Sequence, residues 1–109
     1  MNFAGTWLIT EMEMWDADYF NMEVQAHLWI EENGIGSFQF GLVAGGLDGE
    51  LVKQGRTERF EFTWAGQDEM EPVSGKGWLR MRTPDSMEGR IKIHLGDGST
   101  FVAGREKRR

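Results

Sequence analysis

Apolar and polar residues alternate with period two along most of this chain, and turn-forming residues break the alternation at intervals of about eight to twelve residues. Between Thr57 and Trp64, for example, Phe60, Phe62 and Trp64 alternate with Arg59, Glu61 and Thr63. Helical periodicity is almost absent. Residues i and i+2 of a strand point to the same face, so such a chain buries its apolar residues by pairing strands into a sheet with one dry side. The pattern predicts an all-β domain. At 109 residues there is room for one core, and not for a core plus a large empty cavity.

The alternation places strands at Gly5 to Met14, Val24 to Glu31, Ile35 to Val43, Leu47 to Lys53, Thr57 to Trp64, Gly77 to Arg82, Glu88 to Leu95 and Thr100 to Arg105. Trp15 to Glu23 reads as a loop or short helical turn, and Ala65 to Lys76 as a long polar loop. Asn33-Gly34 is the dipeptide best suited to a type I′ hairpin turn. Val43 to Gly46, Gln54-Gly55-Arg56, Pro84-Asp85 and Gly96 to Ser99 supply further turns. Strands joined in order by local turns form an up-and-down meander, and closure removes its aggregation-prone edges. The expected architecture is a single antiparallel up-and-down barrel of about eight strands, one domain over residues 1–109 with a basic tail at 105–109. Its interior is expected to be filled by Phe38, Phe40, Phe60, Phe62, Trp64 and Phe101 with several methionines, and strand seven to turn Ile91, Ile93 and Leu95 inward.

Several function classes are disfavoured by composition. The chain has no cysteine, which removes disulfides, thiolate metal sites and cysteine nucleophiles together and suits a cytoplasmic location. No apolar run reaches the roughly 18 residues of a spanning helix, and the start lacks the basic and long apolar regions of a signal peptide. No membrane role is expected. Net charge is −6; Arg105 to Arg109 is net +3, leaving the body at −9. An acidic body repels phosphate backbones, so nucleic acid is not expected as a partner. The basic tail reads either as a solvated terminus or as a phosphate-seeking arm.

Two features at opposite ends of the chain form a recognisable pair. Gly5-Thr6-Trp7 opens the first strand, and Arg105 closes the last in phase with Phe101 and Ala103. This resembles lipocalins and related calycin barrels, in which a G-x-W opens the first strand and a basic residue from the last packs over the tryptophan. The resemblance implies a calycin-like barrel plugged at its lower end by Trp7 and Arg105. The chain is much shorter than lipocalins and lacks their C-terminal helix. Trp15-Asp16-Ala17-Asp18, Phe62 to Glu69, and His94 to Phe101 also resemble a family of small, uncharacterised bacterial proteins, which implies a compact bacterial protein and assigns it no particular activity.

In a meander whose first strand runs upward, the odd-to-even connections lie at the top. The upper rim is then expected to gather Asp16, Asp18, Asp68, Glu69, Glu71, Asp97 and Ser99, with His94 just below and Trp15, Trp64 and Trp78 at strand tops. Aromatic walls with a few polar groups are what a barrel-mouth site looks like. Each element also has a plain structural reading. Asp97-Gly98 is a turn pair, Asp16 and Asp18 can start a helical turn, Asp68, Glu69 and Glu71 can be a solvated loop, and Trp64 shares the core phase of Phe60 and Phe62. His94 opposes Ile93 and Leu95 in phase, which points it outward, whereas a bulge turning it toward Asp97 or Asp68 would make an acid–base pair. No metal or cofactor motif is present. Strict alternation from Trp7 would bury Glu11 and Glu13, at high cost unless they are paired. Either a bulge near Thr10 turns Met12 and Met14 to the core, or Glu11 is a buried anchor.

The leading functional expectation is a binding module that engages a small molecule or a protein segment with Trp15, Asp16, Asp18, Trp64, Asp68, Glu69, Trp78, His94 and Asp97. The alternatives are a small acid–base enzyme using His94 with Asp68 or Asp97, and a homodimer formed through a face bearing Trp29 or Trp78.

Overall fold

A computed structural model of the chain describes residues 1–107; the last two arginines of the expected basic tail lie outside the described residues. The strands are β1 (Gly5–Met12), β2 (His27–Ile30), β3 (Ile35–Phe40), β4 (Val43–Gln54), β5 (Thr57–Asp68), β6 (Glu71–Thr83), β7 (Ser86–Ile93) and β8 (Gly98–Arg105). A four-residue helix, α1 (Ala17–Phe20), lies between β1 and β2. Every strand pairs antiparallel with its neighbours in order, and β8 returns to β1, so the chain forms a closed barrel of eight strands. That is the architecture expected from the alternation.

Strand lengths depart from expectation in a consistent way. The long polar loop predicted over Ala65 to Lys76 does not exist: β5 and β6 run on to Asp68 and from Glu71, leaving Glu69 and Met70 as the turn. Alternation was weak there because glycine holds two of the inward positions, Gly66 and Gly75, and Val73 is the one large apolar residue among them. Phe62 lies opposite Gly49 on one side and Gly77 on the other, and Trp64 lies opposite Leu47 and Gly75. A Cβ at Gly77 would lie 2.5 Å from Phe62 Cζ, and one at Gly89 2.8 Å from Phe101 Cζ. Large rings inside a narrow barrel need such vacancies across the sheet. The Val43 to Gly46 turn is likewise part of β4, with Gly41 (φ 56) and Leu42 turning the chain instead. β1 and β2 are shorter than expected, and Gly98 and Ser99 belong to β8.

Backbone geometry corrects the hairpin turn, Leu95 and Met14, and bears out the bulge expected near Thr10. Asn33-Gly34 does not form a two-residue type I′ turn. Gly34 N–H donates to Glu31 O at 3.0 Å, Glu31 N–H to Ile35 O at 2.8 Å, and only Gly34 (φ 88) has positive φ; this is a three-residue loop closed by a glycine bulge. Leu95 is not inward: it sits in the last turn with φ 61 and is 92% exposed. Between β1 and β8 the register shifts at Thr10. This bulge turns Glu11 and Glu13 outward and packs Met12 against the core, while Met14 is exposed.

Both ends of the barrel are covered. At the lower end Phe3 is buried, with its ring centroid 5.8 Å from that of Phe60, and its carbonyl accepts from Trp7 Nε1 at 2.9 Å. The Arg105 guanidinium lies 4.2 Å from the Trp7 ring centroid and donates to the carbonyls of Ala4 (2.9 Å), Asn2 (2.8 Å) and Pro84 (3.2 Å). Between the ends, Phe38, Phe40, Phe60, Phe62, Trp64, Leu79, Met87 and Phe101 are all buried.

Candidate binding surface

The upper end is a lid, not a mouth. Trp15 stacks on Phe40 at 5.1 Å and on Tyr19 at 6.0 Å, and Phe20 is buried beneath them. Backbone bonds fasten this connection: Gly41 N–H donates to Phe20 O (2.9 Å), and Met14 N–H to the hydroxyl of buried Ser99 (3.0 Å). The Tyr19 hydroxyl accepts from Leu42 N–H at 3.4 Å, and Asn21 Oδ1 accepts from Ala26 N–H at 2.8 Å.

The acidic residues expected at the rim lie on separate odd-to-even connections of the meander. Asp16 is the N-cap of α1, its carboxylate accepting from Tyr19 N–H at 3.1 Å, and Asp18 is exposed in the first turn of the helix. Asp68 ends β5 opposite Val43 and Glu71, with Glu69 in the turn at φ 57. Asp97 lies in the β7–β8 turn, where its carbonyl accepts from Ile93 N–H at 2.9 Å. His94 is exposed, and its backbone N–H donates to Ser74 O at 2.7 Å. Among the described residues no three His, Asp or Glu side chains come together in a way that could hold a metal ion.

Trp64 and Trp78, both expected at strand tops, lie in mid-strand and on opposite faces. Trp64 is inside, edge-on to Phe38 at 5.0 Å, and its buried indole N–H has no hydrogen-bond partner. Trp78 is outside, in register with Glu61 on β5 and Arg90 on β7. The reason is the added length of β6. With Glu71 as its first residue, Trp78 falls in the middle of the strand rather than near its upper end.

The outer face around Trp78 brings several charged side chains together. A furrow of about 170 Å³ is lined by Trp78, Glu61 and four cations: Arg59, Lys76, Arg90 and Lys92. It adjoins a shallower furrow of about 520 Å³ that includes Thr63, Ser74 and His94, and one of about 510 Å³ bounded by Asp48, Glu50 and Glu61. The Arg59 guanidinium sits 4.3 Å from the Trp78 ring centroid and that of Arg80 at 5.7 Å. Both distances lie within the range of attraction to the ring quadrupole. Arg80 is committed to Glu88, 2.7 Å away, whereas Arg59 reaches Glu61 only at 3.9 Å and its buried Nε has no partner. Lys92 Nζ donates to the carbonyls of Ile93 and Gly96, each at 2.7 Å. Lys76 stands directly opposite Lys92, a like-charge pair that destabilises a sheet unless something offsets it.

None of Arg59, Lys76, Arg90 and Lys92 stood out in the sequence. The available signal was their outward phase on adjacent strands, but which of them meet depends on register.

No family model matches the chain, and no curated protein or solved structure is found similar to it.

Proposed function

We propose that this protein is a binding module that takes its ligand on the outer face of β5–β7 rather than inside the barrel. The observation that carries the reading is the furrow around Trp78, where four cations and an aromatic ring converge on a chain of net charge −6. Local rules favour mixed charges on a solvated sheet face, and departures from local rules concentrate at functional sites. The filled interior and the lid of Trp15, Tyr19 and Phe20 argue against a deep cargo pocket. The calycin-like reading of the barrel is kept on the same footing: Trp7 beneath Arg105 supports it, with the ligand site moved from the lumen to the wall. An acid–base enzyme built on His94 gains no support from a ring that is exposed to solvent.

The test is a thermal-shift screen of a chemically mixed metabolite library on the wild type, Trp78→Ala and Trp15→Ala. A hit lost in Trp78→Ala and kept in Trp15→Ala supports the wall site. The opposite pattern returns the site to the upper end and overturns the proposal.

A second reading is favoured by one observation. Two outward rows cross six strands without a formal charge: Thr6, Trp29, Ser37, Gly46, Ala65 and Ser74, and beside them Leu8, His27, Gln39, Ala44, Gln67 and Pro72. Trp29 is 45% exposed within this band. Self-association through it predicts a mass that rises with protein concentration in light scattering and reverts to monomer in Trp29→Glu.

A further inference from the structure

We infer that the Trp78 furrow is a receptor for a phosphate-type oxyanion borne by a small ligand; the inference rests on the wall-site reading and names the ligand class for it. Four features of the site point to this chemistry. First, Lys76 and Lys92 are held opposite each other by the β6–β7 register, and a dianion between them would turn a repulsion into an attraction. Second, two of the charges are not spent elsewhere: among the described residues the side chains of Lys76 and Arg90 make no ion pair, while Lys92 Nζ donates to the carbonyls of Ile93 and Gly96 and Arg80 is taken by Glu88. Third, Arg59 is pre-positioned. Trp78 holds its guanidinium at 4.3 Å, its side chain is only 27% exposed, and its buried Nε has no hydrogen-bond partner, the Glu61 carboxylate standing 3.9 Å away. A guanidinium fixed in this way loses little further freedom when its fork engages an oxyanion. Fourth, the furrow is net positive by three charges even with Glu61 counted. A carboxylate offers two oxygens and one charge, whereas a phosphate monoester offers three terminal oxygens and close to two charges, enough to meet an arginine fork and lysines together.

The surroundings set the size of the ligand. Asp48, Glu50 and Glu61 bound the cations on the β4–β5 side, and Glu88 and Glu13 on the β7–β8–β1 side. An extended polyanion would run into these carboxylates, so the cations form a spot and not a track. The space of about 170 Å³ is smaller than a typical pocket for a whole drug-sized ligand and suits one charged group with the rest of the ligand outside.

Calorimetric and thermal-shift titrations with inorganic phosphate, glycerol 3-phosphate and acetate at constant ionic strength test the inference, on wild type, Lys76→Gln, Arg90→Gln and Trp78→Phe. All three positions face solvent or the furrow, so folding is verified by circular dichroism and by an unchanged far-edge melting profile. Expected results are saturable binding of a phosphate species, no comparable binding of acetate, and a weakening of about tenfold or more in Lys76→Gln and Arg90→Gln, as loss of one charge-assisted bond implies. Binding of glycerol 3-phosphate tighter than inorganic phosphate assigns the site to an organic ester; equal binding assigns it to the free ion. Absence of phosphate binding, or binding indifferent to both variants, overturns the inference. Tighter binding of a single-stranded oligonucleotide whose affinity grows with its length also overturns it, since the site would then be a track. If phosphates fail while a neutral compound from the mixed library binds in a manner that needs Trp78, only the ligand class is wrong. If no compound of any class depends on Trp78, the wall-site reading fails with it.

Discussion

Arg105, at the end of β8, ties the N-terminal stretch and the β6–β7 turn together with one planar group. Its guanidinium covers Trp7 and donates to the carbonyls of Asn2, Ala4 and Pro84 at the lower end of the barrel. Charge-assisted bonds to carbonyls and a partly desolvated cation–π contact together amount to about 3 kcal/mol. Arg105→Ala should therefore lower the melting temperature by roughly 10 °C or more, measured by differential scanning calorimetry. Arg105→Lys keeps the charge without the fork and should recover roughly half of that loss or less. A recovery close to wild type would mean that charge alone matters at this position. At Gly77 the constraint is volume: a methyl group would lie 2.5 Å from both Phe62 Cζ and Arg90 O. Gly77→Ala is expected to destabilise by about 1–3 kcal/mol, and Phe62→Leu in the same chain to relieve part of it. The pairing of Trp7 with Arg105 was legible at this scale because both ends of the chain carried a phase. The role of Gly77 was not, because a glycine carries no phase to read.

At the scale of elements, the bulge at Thr10 decides which residues of β1 meet the core. Without it, the inward positions set by Trp7 and Ile9 would pass to Glu11; with it they pass to Met12, which pairs with Phe101. Deleting Thr10 removes only the unpaired residue and leaves Ile9, Glu11 and Met12 opposite Ala103, Val102 and Phe101, so the inward and outward sets are kept and only the local bend is lost. We expect the deletion to fold with a single cooperative transition and to cost about 1–3 kcal/mol, read as a lower melting temperature. Thr10→Ala, which gives up only a 3.3 Å bond to Val102 O, should cost about 1 kcal/mol. A deletion variant with no cooperative transition would show that the seam needs the bend at the bulge and not only the phase it sets. The sequence signalled a phase conflict here because two glutamates occupied inward positions, whereas the longer β5 and β6 gave no such signal. In the missed stretch the inward phase is carried by Gly66, Asp68, Val73 and Gly75, of which only Val73 is a large apolar residue, so the hairpin looked like a loop.

The whole molecule is a barrel whose lumen is occupied by its own side chains and whose ends are both covered. Aromatic rings fill it from Phe3 and Phe60 at the lower end to Phe40 and Trp15 at the upper. A neutral apolar ligand such as decanol should find no interior site. Titration followed by methyl NMR should leave Leu79, Met87 and Ile91 unshifted, and a saturable shift at those methyls would show that the lid opens onto a usable cavity. The outer wall is divided into a charged region around Trp78 and an uncharged band around Trp29. That division is a property of the closed barrel, since it is made by residues from six strands or more.

Alternation with period two, turn residues at regular spacing and a length suited to one core were sufficient for an all-β, closed, antiparallel meander, because strand formation and local turns depend on neighbours in sequence. The same reasoning put the site at the strand ends, where exposed acids cluster in the sequence. What only the tertiary structure decided is the register of β5, β6 and β7, and hence that Arg59, Lys76, Arg90 and Lys92 surround Trp78 on the outer wall. Register is set by which inward side chains fit against one another across the closed barrel, with Phe62 between Gly49 and Gly77. No stretch of sequence read alone contains that information.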